Sequence, residues 1–130
     1  MFTDHTLFAA ADLGSNSFHM IVTRCEEGRF TVIDRARTVV RLAAGIDKSG
    51  QLEPETRQRA LEALSQFRIH LLNLKVPPSN VRVVGTSGVR RLHDEGSFVT
   101  AASEILGLPI EIITGNEEAR LINLGVAGTA

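Results

Sequence analysis

The sequence predicts an α/β domain built on a five-stranded mixed sheet in the order 3-2-1-4-5, with helices on its faces. Two observations carry that expectation. Residues 7–13, 18–25 and 30–37 are apolar or alternating runs separated by short polar turns, the pattern of an antiparallel meander. Two further short runs, 81–84 and 109–113, are each preceded by a helical stretch, and a strand reached through a helix joins its sheet as a parallel crossover.

The elements follow in order. The first run ends in Gly14-Ser15-Asn16-Ser17, a polar turn that returns the chain as the second strand, and Glu26-Glu27-Gly28-Arg29 has the chemistry of the next turn. An irregular piece over residues 39–45 separates the third strand from a long helix. That helix starts at Pro54, a suitable first helical residue, and runs to residue 74. Its apolar positions Ala60, Leu61, Leu64, Phe67, Leu71 and Leu74 recur at helical spacing, and Pro77-Pro78 ends it. The fourth strand enters Gly85-Thr86-Ser87-Gly88. Residues 98–106 read as a helix stopped by Gly107, the fifth strand enters Thr114-Gly115-Asn116, and a last helix starts near Glu117.

Composition bounds the function. Of 130 residues, 43% are hydrophobic and 22% charged, near the globular average, and no run approaches the roughly 20 apolar residues of a membrane helix. A formal net charge of -1 gives no general attraction to nucleic acid or to an anionic membrane, so neither is expected as a partner. The single cysteine, Cys25, cannot form an intrachain disulfide, and residues 1–11 lack a secretory signal, which together fit the cytoplasm. Cys25 itself reads as a small buried hydrophobe.

Three strands end in small polar turns, after Leu13, Val84 and Ile113. Such turns gather at the carboxyl edge of a parallel sheet, where ligands bind. In the first, Gly14 admits backbone conformations closed to other residues. The side chains of Ser15, Asn16 and Ser17, with nearby backbone N–H groups, can cradle phosphate oxygens. Asp12 would repel phosphate unless a cation lay between them, which points to Mg²⁺ held by oxygen ligands. An ordinary polar hairpin turn reads the same way. The second turn leads to Arg90 and Arg91, either a phosphate-gripping guanidinium or a solvated pair on a helix surface. In the third, Thr114 and Glu117 match a capping box, which leaves Glu118 turned about 100° away and available to the cleft. His19 reads as a packed or edge residue rather than a catalyst. Walker, Gly-x-Gly-x-x-Gly, Cys-x-x-Cys and His-Glu-x-x-His motifs do not occur.

Taken together these residues resemble the N-terminal portion of the exopolyphosphatase and guanosine pentaphosphate phosphohydrolase family, within the actin-like ATPase superfamily of ribonuclease H-like folds. The resemblance is carried by residues 11–20 (ADLGSNSFHM), by Val84-Gly85-Thr86-Ser87 leading to Arg90, and by residues 109–122 (PIEIITGNEEARLI). It implies that the first turn binds phosphate, that Arg90 holds substrate phosphate and that Glu118 activates a water. It further implies Mg²⁺ as cofactor, and polyphosphate or guanosine pentaphosphate as substrate in a stringent-response setting. Members of the family continue into a second phosphate motif of the Asp-x-Gly-Gly-Gly-Ser kind and a second lobe. Residues 1–130 are therefore expected to be a truncated N-terminal phosphate-binding domain, inactive alone, whose full-length parent is a candidate homodimer. Two competing readings stand beside this one: a non-catalytic domain that binds a phosphorylated signal such as guanosine tetraphosphate, and an actin-like kinase. The pairing of Arg90 with Glu118 weighs against the kinase.

Overall fold

The computed structural model of the chain describes residues 5–86, 89, 92, 95–113 and 116. The meander forms as the alternation predicts: β1 (His5–Leu13), β2 (Ser17–Glu26) and β3 (Arg29–Val39) pair antiparallel. Glu27 and Gly28 both have positive φ, 53° and 77°, the two-residue turn whose twist matches that of the flanking strands. The register of β3 slips between Val22 and Thr23, which leaves Ile33 as an extra residue in the ladder.

The long helix, α1 (Pro54–Leu74), has the predicted bounds. It ends at Lys75, whose left-handed backbone directs its N–H back to the Leu71 and Leu72 carbonyls. A 3₁₀ turn (Pro78–Asn80) leads into β4 (Val81–Gly85), α2 (Glu95–Leu106) follows, and β5 shrinks to Glu111–Ile112. Predicted residues 39–45 resolve into the end of β3 and a single 3₁₀ turn (Ala43–Gly45).

Among the described residues the sheet has five strands in the order β3-β2-β1-β4-β5, as expected. β4 runs parallel to β1 and β5 parallel to β4, so β2 alone among these strands points the other way. Both crossovers, β3-α1-β4 and β4-α2-β5, step in the same direction across the sheet. Right-handed connections that step the same way lay their helices on the same face. The core bears this out: Ala9, Ala11 and Leu13 of β1 and Phe18, Met20 and Val22 of β2 share one cluster with Leu64 and Phe67 of α1 and Phe98 and Ala102 of α2. The alternate residues, Phe8, Ala10 and Asp12 of β1 and His19 and Ile21 of β2, are exposed on the opposite face.

Two expectations are corrected. Cys25 is half-buried, because it lies at the far end of β2 beyond the cover of the helices. His19 is neither packed nor on an edge strand, since β2 is interior to the sheet and its odd-numbered positions here face away from the helices.

Candidate phosphate site at the carboxyl edge of the sheet

The parallel registers align the strand ends: Leu13 pairs with Gly85, and Gly85 with Ile112. The three strand ends at which sequence anticipates polar turns therefore lie side by side. Thr86, 3% exposed, ties the second to the first by donating its N–H (3.2 Å) and Oγ1 (3.5 Å) to the Leu13 carbonyl.

Turn 14–17 is closed by the Gly14 N–H, which donates to the Ser17 carbonyl at 3.1 Å. A Cβ on Gly14 would stand 2.9 Å from that same oxygen, so the closure depends on glycine. The two central carbonyls of the turn face into the protein. Ser15 O accepts from the Ala43 N–H (2.9 Å), and Asn16 O accepts from the N–H groups of both Val40 (3.0 Å) and Arg41 (2.8 Å). Because C=O and N–H lie on opposite sides of a trans peptide, the Asn16 N–H, which shares its peptide with Ser15 O, points away from residues 40–43. Neither the Ser15 nor the Asn16 N–H reaches a protein acceptor among the described residues. The result is a turn with the Ser15, Asn16 and Ser17 carbonyls bonded internally and two backbone donors left over, which suits an anion.

The side chains contribute unequally. Ser17 is buried, Ser15 is half-buried and Asn16 is exposed, with the Asn16 amide 3.4 Å from the Ser17 hydroxyl. Asp12 lies on the open face of the sheet, opposite His19 in the hairpin register. Both line a shallow depression of about 400 Å³ with Ala10, Ile21 and Val84. Among the described residues no three acidic, histidine or cysteine side chains converge as a metal cage. One carboxylate next to turn 14–17 nevertheless fits Mg²⁺, which takes one or two carboxylates and fills its remaining positions with water and phosphate oxygens.

The residues that set the turn's shape were not legible in sequence. Arg59 of α1 donates Nε (3.3 Å) and Nη2 (3.2 Å) to the Val40 carbonyl, and Nη2 also donates to Thr56 Oγ1 (3.2 Å). Thr56 packs against Gly45, whose carbonyl accepts from the Glu53 N–H at 2.8 Å. The start of α1 thus fixes residues 40–45, and those residues fix the turn. Arg90, Arg91, Thr114, Glu117 and Glu118 lie outside the described residues. Of their neighbours, Val89 is buried, and Asn116 is exposed and helical.

A sequence model of the Ppx/GppA phosphatase family matches residues 21–130. Among solved structures, a Ppx/GppA family member from Aquifex aeolicus superposes with a TM-score of 0.87 at 24% identity, over 95% of this chain and 40% of that one. An exopolyphosphatase from Cytophaga hutchinsonii gives 0.83 at 29% identity, over 89% and 36%. An exopolyphosphatase-like protein gives 0.77 at 28%, over 89% and 35%. The fold is thus the actin-like ATPase fold. The chain spans about two fifths of the length of these structures or less.

Proposed function

This chain belongs to the Ppx/GppA phosphatase family, and from that premise we propose that it is the N-terminal phosphate-binding domain of a phosphohydrolase acting on inorganic polyphosphate or guanosine pentaphosphate. The observation that carries this reading is turn 14–17, where the carbonyls of Ser15 and Asn16 are bonded inward and two N–H groups are left for an anion at the carboxyl edge of the sheet.

The chemistry follows from the residue types. The N–H groups of Ser15 and Asn16 and the side chains of Ser15, Asn16 and Ser17 hold a phosphoryl group in a turn that Gly14 closes, and Arg90 adds a charge-assisted grip on its oxygens. Glu118 takes a proton from water, the water oxygen attacks the terminal phosphorus, and the bond to the bridging oxygen breaks to release orthophosphate. Asp12 would hold Mg²⁺, which when bound neutralises charge on the phosphoryl oxygens. Because the relatives are roughly two and a half times as long as this chain, this activity is proposed for the complete enzyme, with little or no turnover by residues 1–130 alone. No described helix is long and apolar enough to cross a membrane.

The test is orthophosphate release by the full-length protein, with polyphosphate and with guanosine pentaphosphate in parallel. Release from either supports the proposal. Tight binding of guanosine tetraphosphate with no release from either substrate would replace it with a phosphorylated-signal sensor.

A further inference from the structure

We propose that Arg41 is a substrate-contacting residue, a cationic arm beside turn 14–17 that engages the phosphates adjoining the one the turn holds. The inference rests on the phosphate-binding reading of that turn. Arg41 has φ of 56°, in the left-handed region that a residue with a Cβ occupies at a cost and that glycine or asparagine enters more readily. The surroundings over-determine this conformation. Val40 and Leu42 on either side are fully buried, and the Val40 carbonyl is clamped by Arg59. The Arg41 carbonyl accepts from the Gly45 N–H (3.2 Å), while the Arg41 N–H donates to Asn16 O at 2.8 Å.

With both neighbours locked inward, the Arg41 side chain is held at the surface. Its guanidinium has no hydrogen-bond or ion-pair partner among the described residues. Shaping the turn requires only the Arg41 backbone, which glycine would supply with less strain. An arginine here therefore points to a use for the side chain itself. Its fork is always charged and matches phosphate oxygens in pairs, and its backbone is one hydrogen bond from the turn. The turn can hold a single phosphoryl group through the Ser15 and Asn16 N–H groups, whereas a condensed phosphate chain brings further charge alongside that a fixed guanidinium can meet.

The test titrates the full 130-residue chain with tripolyphosphate and, separately, with orthophosphate, following the Ser15 and Asn16 amides by NMR. Arg41→Gly keeps the left-handed backbone, so its melting temperature should equal or exceed that of the parent. It should weaken tripolyphosphate about ten- to a hundredfold, the worth of one charge-assisted grip, and orthophosphate by less than about threefold, with Arg41→Lys recovering part of the loss. Unchanged tripolyphosphate affinity in Arg41→Gly, with both amides still shifting, would overturn the role of Arg41 and leave the turn's role standing. Equal weakening of both anions would also overturn it, because Arg41 would then only shape the turn. Failure of tripolyphosphate to shift either amide in the parent chain would instead refute the phosphate-binding turn, and this proposal with it.

Discussion

Replacing Gly45 with alanine should destabilise the domain through a residue that is not itself proposed to touch substrate. A Cβ at residue 45 would lie 2.2 Å from Thr56 Oγ1 and 2.5 Å from both its Cβ and Cγ2, where ordinary contact begins near 3.4 Å. Thr56 is only 2% exposed and holds a hydrogen bond from Arg59, so the helix start has to move by about an ångström to make room. Overpacking of this kind costs about 1–3 kcal/mol, and the reduced freedom of the unfolded chain returns about 0.4–1 kcal/mol. A net loss of about 1–2 kcal/mol should lower the urea midpoint by roughly 0.5–1 M at ordinary slopes. The displacement should also reach the turn, because Gly45 O accepts from the Glu53 N–H while residues 40, 41 and 43 donate to Asn16 and Ser15. Amide exchange at Val40, Arg41 and Ala43 should therefore accelerate. Thr56→Ala removes two of the three clashing atoms, so the double variant should be less destabilised than the two single changes summed. A Gly45→Ala protein with an unchanged urea midpoint and unchanged exchange at those three amides would refute the coupling of α1 to the turn.

Three further outcomes are expected. In the full-length enzyme, Glu118→Gln should lower phosphate release by about two to four orders of magnitude with binding retained, whereas Glu117→Gln, which can still close a capping box, should cost mainly a little stability; the reverse ranking in steady-state kinetics would overturn the assignment. Asp12→Asn should raise the Mg²⁺ concentration needed for half-maximal release, and an unchanged Mg²⁺ dependence would remove Asp12 as a ligand. Hydrogen bonds to Asp47, led by the Ser49 hydroxyl at 2.6 Å, and the Arg82 bond to Glu111 at 2.8 Å hold both carboxyls below their ordinary values. Since the folded state has the lower pKa, their contribution to stability is complete above the ordinary carboxylate range and is lost as pH falls through the depressed values. A carboxyl NMR titration with either midpoint at or above its ordinary value would contradict this.

Local chemistry was legible in the sequence because it is written in short-range pattern. Alternation set the first three strands, apolar spacing with Pro54 and Pro77-Pro78 set α1, and directional stepping through two crossovers set the strand order. The same reasoning placed Gly14, Ser15, Asn16 and Ser17 on a turn at the carboxyl edge, beside the turn that starts at Thr86. What sequence alone left undecided was which groups of that turn are offered outward. That depends on hydrogen bonds spanning some 25 positions, from Val40, Arg41 and Ala43 to Asn16 and Ser15, and on Arg59 and Thr56 holding residues 40–45. None of these residues stands in a motif. Gly45 looks like any loop glycine, and Arg41 and Arg59 like ordinary surface charges, until packing brings a helix start, a 3₁₀ turn and a hairpin together. Periodicity therefore determined the elements and their order, but the direction in which a peptide presents its N–H is a property of its bonded partners, and only the tertiary structure could decide it.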